Sequence, residues 1–487
     1  MTETAASPIG SVATALPAVL ERIDADLDQS LERLFELMAI PSVSTQPDHA
    51  KDCAAAAEWL RAELASLGFD AELVRMAEVD GGHPLVVARS SGPAPGAARP
   101  RALFYGHYDV QPVDPLSLWS HDPFTPFIDR SAGPAVIRGR GASDDKGQLM
   151  TFLEACRAWK AVAGAPPVDL AILLEGEEES GGASMGPFLR RHGDRVAADV
   201  ALVCDTTMWS AEQPAITTSL RGMLACEVTI RAANRDLHSG FYGSAARNPI
   251  AVLTRMLAAL RDPETGRVTL EGFYDGAPET PDAIRRQWEQ LGFDVNAFLG
   301  DIGLSQAAGE AGYSALEQVW ARPTAEINGI SGGYQDPGFK TVIPAEASAK
   351  VSFRLVGDQD PEAVRQAFEA HIRAHTPEDC SFELVSHGAS PAARVDYDAP
   401  DLKAASEALA AEWGRPAALI GAGGSIPVVG DFKSILGMET LLIGFALESD
   451  RIHSPNEQYA LRSFHQGARS WARILAALAE TPKRAAA

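Results

Sequence analysis

No run in this 487-residue chain approaches the roughly 18 to 20 apolar residues that a membrane span needs. The opening Met1-Thr2-Glu3-Thr4-Ala5-Ala6 has neither the basic segment nor the long apolar segment of a secretory signal. Positive charge is also scarce, with 42 Lys and Arg against 65 Asp and Glu and a formal net charge of -23. Nucleic acid and anionic membranes both require concentrated cations, so neither is an expected partner, whereas metal cations suit the balance. Cysteine is sparse: Cys53, Cys156, Cys204, Cys226 and Cys380 are odd in number, scattered and without a C-x-x-C pair. They read as buried free thiols in a reducing compartment. What remains is a soluble globular protein of the cytoplasm, 46% hydrophobic and 22% charged.

The chain is too long for one ordinary hydrophobic core, which predicts two domains or one domain with a large insertion. Residues near 15 to 67 read as helical, interrupted at Pro41, and strands follow at Ala71 to Met76 and Pro84 to Arg89. Further strands are expected at Arg101 to Gly106, Val168 to Leu174, Asp199 to Cys204 and Met438 to Phe445, with helices at Gln148 to Val162 and Asp401 to Trp413. Between them lies a different pattern. Long strands over Ala215 to Ile230, a helix at Pro249 to Leu260, a strand at Ala347 to Leu355, a helix at Pro361 to Ala374 and a strand at Ser381 to Val385 predict an inserted α+β domain. The expected organisation is residues 1–213 and 389–487 forming one α/β domain, with 214–388 inserted. Low complexity is confined to an Ala/Pro/Gly linker at Ser91 to Pro100 and the tail Lys483 to Ala487.

The stretch around which the rest is organised is Glu175-Gly176-Glu177-Glu178-Glu179-Ser180-Gly181-Gly182, at the end of the apolar run Val168 to Leu174. Four acids in five positions repel one another and resist desolvation unless positive charge is placed among them. The carboxyl ends of strands in open α/β sheets are where ligands bind. The strand Arg101 to Gly106 likewise runs into His107-Tyr108-Asp109, where the extended chain points His107 and Asp109 to the same side. The strand Asp199 to Cys204 ends on Asp205. Strand after strand thus finishes on an imidazole or an acid facing one crevice.

Two other motifs are weighed and set aside. Gly139-Arg140-Gly141-Ala142-Ser143-Asp144 resembles a dinucleotide loop, but Asp144 stands where the third glycine belongs and carboxylates repel a pyrophosphate. Gly182-Ala183-Ser184-Met185-Gly186 matches a serine-hydrolase elbow, yet Gly176 to Gly182 separate Ser184 from its strand, and the elbow needs the serine directly after it.

Collected, the loops offer His107, Asp144, Glu178, Glu179, Asp205 and His453. Two imidazoles and three carboxylates suit a pair of divalent ions such as Zn²⁺, Mn²⁺ or Co²⁺, bridged by one carboxylate and one water. Of two adjacent acids in the turn, one is free to serve as proton shuttle.

His107-Tyr108-Asp109-Val110-Gln111-Pro112, Gly141 to Gly147, Glu175 to Gly181, Val203-Cys204-Asp205 and Ile452-His453-Ser454-Pro455-Asn456-Glu457 resemble, in order and spacing, the M20 metallopeptidases. Leu220-Arg221-Gly222, Asp236 to Gly240, Lys340 to Pro344, Phe353 to Val356 and Gly423-Gly424-Ser425-Ile426-Pro427 are similar to the cytosolic, carnosine-type dipeptidase branch. The resemblance implies a zinc-exopeptidase-like mixed sheet flanked by helices, with the insertion acting as lid and dimerisation domain of a homodimer. It implies that His107, Asp144 and Asp205 hold one metal ion and Asp144, Glu179 and His453 the other. Asp109 orients His107, and Glu178 is the general acid/base. His238 stabilises the oxyanion across the dimer interface, and Thr341, Arg354, His387 and Ser425 hold the substrate.

The expected reaction is hydrolysis of the amide bond of a dipeptide or similar small peptide. The alternative is a deacylase or amidohydrolase acting on N-acyl or N-carbamoyl amino acids, which uses the same centre; a non-catalytic binding protein retaining the fold is a third reading. One departure stands out. The resemblance implies an Arg shortly before Gly423-Gly424-Ser425-Ile426-Pro427, where this chain has Ile420-Gly421-Ala422, a change expected to weaken recognition of an anionic group and to leave room for another side chain.

Overall fold

The computed structural model describes residues 12–90, 99–131, 133–424 and 426–481. Ser425, the tail 483–487 and most of the Ala/Pro/Gly linker lie outside the described residues. The chain divides into two compact units, one of Met1–Thr218, Val395–Ile420 and Asp431–Ala487, the other of Ser219–Arg394 and Gly421–Gly430.

The first unit is α/β, with helices flanking a mixed sheet. Its strands lie in the order Phe69–Val74, Leu85–Ser90, Asp169–Glu175, Arg101–His107, Val200–Val203, Thr440–Leu442 and Ala215–Leu220. The central four are mutually parallel, and the strands outside them pair antiparallel. Parallel pairing brings the carboxyl ends of the central strands to one edge, so the residues that follow them converge. The strand Ala215–Leu220, expected at the start of the insertion, instead pairs with Thr440–Leu442 in this sheet.

Helix Lys146–Ala163, closed by Gly164 at φ 83°, covers the sheet. Phe152 from this helix stacks on Phe104 of the central strand with ring centroids 3.7 Å apart, and Trp471 meets both rings edge-on. Trp471 belongs to helix Leu461–Glu480, an element absent from the expectations above although Phe464, Ala468, Trp471, Leu475 and Leu478 recur at helical spacing and are buried. The strand expected over Met438 to Phe445 shrinks to Thr440–Leu442. Beyond it, Phe445 donates its N–H to Gln148 Oε1 at 2.6 Å, leaving the ladder.

The second unit is an antiparallel sheet in the order Thr324–Gly332, Glu346–Leu355, Gly222–Arg231 and Ser381–Ser390. Alternation along Gly222–Arg231 sends Leu224, Cys226, Val228 and Ile230 to a buried face. Leu253 and Met256 of helix Pro249–Ala258 and Phe368 and Ile372 of helix Pro361–His375 complete that core. Thr324–Gly332 carries no clean alternation and was not expected as a strand; its pairing is broken by a bulge between Ile327 and Gly329.

Candidate metal centre

The site lies within the first unit. His107 ends its strand and Asp205 follows Val200–Val203, while Glu178–Ser180 form a single 3₁₀ turn after Asp169–Glu175. Asp144 ends the Gly139 to Asp144 loop that precedes helix Lys146–Ala163. Asp144 faces two ways: Oδ1 is 2.9 Å from His107 Nε2 and Oδ2 is 2.9 Å from His453 Nε2. Asp205 Oδ2 lies 3.9 Å from His107 Nε2, and Glu179 Oε2 lies 3.3 Å from His453 Nε2. Two groups result, His107–Asp144–Asp205 and Asp144–Glu179–His453, each with its ligand-type atoms within 4.8 Å of one another. His453 is held at φ 62°, a conformation that non-glycine residues adopt rarely.

Asp109 is fully buried and serves both sides of this arrangement. Its Oδ1 is 3.4 Å from His107 Nδ1. The same carboxylate accepts the backbone N–H of Glu178 at 3.3 Å and of Glu179 at 3.1 Å. The acids of the turn are thereby distributed among different tasks. Glu175 turns inward, accepts the Tyr105 hydroxyl at 2.6 Å, and is pushed up to about 8 by burial. Glu177 accepts N–H bonds from His83 at 2.6 Å and Ser184 at 2.7 Å, together with the Ser184 hydroxyl at 3.0 Å. Glu178 is half-buried, and desolvation raises its pKa above the usual carboxylate range.

The donor set fits divalent cations. Burial, reinforced by the charges of Asp144 and Asp145, pushes the Asp205 carboxyl far above its ordinary value. Asp145 is raised to about 7, chiefly by burial. Lys146, next in sequence, gives no relief: it is turned away, its Nζ donating to the carbonyls of Ile40 at 2.7 Å and Leu37 at 3.1 Å. Glu179 Oε2 accepts from Gln111 Nε2 at 2.7 Å, while its buried Oε1 has no partner. An unpartnered carboxylate oxygen among desolvated acids and imidazoles is the environment that a Zn²⁺-like ion stabilises.

The remaining predicted residues belong to the second unit. Thr341 and His238 are exposed, and His238 Nδ1 accepts the N–H of Gly240 at 3.0 Å. His387 pairs with Glu227 Oε2 at 3.0 Å. Arg354 and Glu227 project from the same face of the sheet, since Arg354 is opposite Met223 and alternation carries Met223, Ala225 and Glu227 to one side. Ser184 is buried, its hydroxyl donated to Glu177, and it starts helix Met185–His192 rather than a strained elbow. The room expected beside Gly421 is filled: a Cβ there would come within 2.5 Å of the Trp320 Cβ. The small residue is therefore matched by a large one.

Several groups around the centre carried no role in the sequence reading. Glu457, Gln111 and Asp145 stand inside the quoted motifs, where the strings give their presence but not their partners. Asp450 lies outside them and accepts the Ser143 hydroxyl at 2.9 Å.

The description of peptidase family M20/M25/M40 matches residues 103–477. The Cys-Gly metallodipeptidase DUG1 of Saccharomyces cerevisiae is 28% identical, the alignment covering 96% of this chain and 99% of the yeast protein. The human Beta-Ala-His dipeptidase is 27% identical over 95% of this chain and 94% of its own length. A solved M20-family metallo-carboxypeptidase, Sso-CP2 from Sulfolobus solfataricus, superposes with a TM-score of 0.75 at 28% identity, covering 92% of this chain and 99% of that structure. Among the described residues no helix is long and apolar enough to cross a membrane. With two ligand-type clusters sharing Asp144 at the ends of parallel strands, and a match running from the first of those strands into the last helix, the chain belongs to peptidase family M20/M25/M40 and is a metallopeptidase.

Proposed function

We propose that this metallopeptidase hydrolyses the amide bond of dipeptides or similar small peptides, as a homodimer of the cytoplasm. The observation that carries the reading is the placement of Asp144, whose two oxygens each face a different imidazole. The names of the yeast and human relatives, both dipeptidases, favour the substrate class. In this reading His107, Asp144 and Asp205 hold one divalent ion, and Asp144, Glu179 and His453 hold a second; Zn²⁺ suits the donors, with Mn²⁺ or Co²⁺ as alternatives. When bound, the ions supply Lewis acidity that activates water and polarises the scissile carbonyl.

Glu178 takes the proton of the attacking water and returns it to the leaving amine nitrogen. Its pKa is raised, first by desolvation, in the direction that makes a carboxylate a better proton acceptor. Asp109 fixes the backbone on which Glu178 sits. His238 donates to the oxyanion from the partner subunit; with Nδ1 accepting from Gly240, the neutral ring carries its proton on Nε2, the tautomer that a donor requires. Thr341, Arg354, His387 and Ser425 hold the substrate's backbone or terminal carboxylate, and residues 214–388 form the lid and dimerisation domain.

The test is hydrolysis of a dipeptide panel, with N-acetyl and N-succinyl amino acids alongside, by enzyme stripped with chelator and reloaded with Zn²⁺, Mn²⁺ or Co²⁺. Metal-restored cleavage of dipeptides supports the reading, and restoration on N-acyl substrates alone moves the function to deacylation. Glu178→Gln should lower kcat by about 10²- to 10⁴-fold with metal content unchanged. A variant that keeps most of its turnover removes Glu178 from the role of proton carrier.

A further inference from the structure

The Gly139 to Asp144 loop has the appearance of an anion-binding loop, and the structure shows which anion it binds. The carboxylate of Glu457, fully buried, is its occupant. Oε1 accepts the backbone N–H of Ser143 at 2.9 Å and of Asp144 at 3.1 Å. Oε2 accepts the backbone N–H of Gly141 at 3.0 Å and Arg140 Nη1 at 2.8 Å. The Glu457 carbonyl also accepts the N–H of Gly139 at 3.2 Å. Converging backbone donors of this kind form a nest that favours negative charge. Gly141 permits it, at φ 79°, where a Cβ would come within 2.9 Å of Val110 Cγ1.

The consequence lies in what the two ends of this contact carry. Glu457 is on the same short segment as His453, and Asp144 is the residue whose carboxylate faces both imidazoles. Arg140 extends the clamp to the segment after His107 and Asp109, since its Nη2 donates to the Pro112 carbonyl at 2.9 Å. One buried carboxylate thus sets the spacing between the Asp144 loop and the His453 loop.

We propose that Glu457 is a positioning residue for the metal centre: by clamping the Gly139–Asp144 loop it fixes Asp144 between His107 and His453, and so determines metal affinity and turnover. This rests on the ligand assignment proposed above. Glutamine at this position keeps the shape but places an NH₂ group against one pair of donors, so the nest opens without a change of size.

The experiment uses full-length Glu457→Gln and wild type, both stripped and titrated with Zn²⁺ against a chromophoric chelator, with circular dichroism as a fold control. The expected result is a folded variant binding Zn²⁺ about 10- to 100-fold more weakly. At saturating metal its kcat should be about 10-fold or more lower with KM nearly unchanged, and the visible spectrum of the Co²⁺-loaded form should shift. A folded variant with wild-type affinity and an unaltered Co²⁺ spectrum overturns the proposal. Should Glu457→Gln fail to fold, Arg140→Lys, which keeps the cation but loses the fork, carries the test: weaker Zn²⁺ binding supports the clamp and unchanged binding refutes it. Wild-type uptake of fewer than two ions per chain overturns the ligand assignment itself, an outcome distinct from a clamp that fails only in the variants.

Discussion

Asp109 accepts the backbone N–H of Glu179 through Oδ2 at 3.1 Å, and its Oδ1 stands 3.4 Å from the ring of His107. Whatever it does for the imidazole, whose Nδ1 also bonds the Asp109 backbone carbonyl at 3.1 Å, the carboxylate holds the turn that presents Glu178 and Glu179. Asp109→Asn keeps the size but offers one oxygen in place of two. Metal affinity should drop by about 10- to 100-fold, with a fall in kcat that added metal repairs only in part, because the turn stays loosened. Chelator competition and turnover at saturating metal separate the two effects; full recovery with excess metal would leave Asp109 with the His107 role alone.

How much of this centre is legible in the sequence depends on the range over which each residue acts. His107 and Asp205 each follow an apolar strand directly, so local pattern and the parallel-sheet rule place them together. The Gly139 to Asp144 loop reads in sequence only as a superficial likeness to a dinucleotide loop, set aside because Asp144 stands where the third glycine belongs. Its partner was not legible, because Glu457 is 314 positions from Ser143 and nothing in the intervening pattern couples them. Likewise four acids in five positions announce a special turn, yet only tertiary contacts with Tyr105, His83 and Asp109 tell Glu175, Glu177, Glu178 and Glu179 apart.

The Gly421 position shows the same limit with an opposite sign. Substitution of an expected Arg by Ile420-Gly421-Ala422 reads as a vacated space, but Trp320 fills it, 101 positions earlier in the chain and itself edge-on to Trp288 at 5.1 Å. Gly421→Arg should therefore not restore an anion site. It should destabilise the protein by about 1–3 kcal/mol through overpacking, read as a lowered Tm, with no gain in KM for acidic dipeptides. A variant of unchanged Tm would mean that the backbone carrying Trp320 shifts away freely.

His238 provides a test of subunit architecture that needs no structure of the dimer. If each site takes Glu178 from one chain and His238 from the other, His238→Ala and Glu178→Gln homodimers are each nearly inactive, but a hybrid contains one complete site. Random reassembly of equal amounts should recover about a quarter of wild-type activity per chain. Mixtures no more active than the parents would confine both residues to one subunit or remove His238 from catalysis.

Asp450 predicts a pH dependence of stability. It is 1% exposed, its Oδ2 accepts the Leu447 N–H at 2.8 Å and the Ser143 hydroxyl at 2.9 Å, and its Oδ1 has no partner. Burial pushes its pKa up to about 7, against about 4 for an unfolded aspartate. The folded chain therefore binds the proton more tightly than the unfolded chain between these values, and stability falls as pH rises from about 4 to about 7, by about 4 kcal/mol at most. Below the unfolded value both states are protonated, and above the folded value both are ionised, so the slope from this group vanishes on either side. Asn at this position, with its amide oxygen where Asp450 Oδ2 stands, can still accept both hydrogen bonds and never ionises. Asp450→Asn should match wild type in thermal stability near pH 4 and exceed it by several degrees near pH 8. A Tm difference that stays constant across that range would show that Asp450 keeps its charge in the folded protein and that burial there is offset by partners other than Leu447 and Ser143.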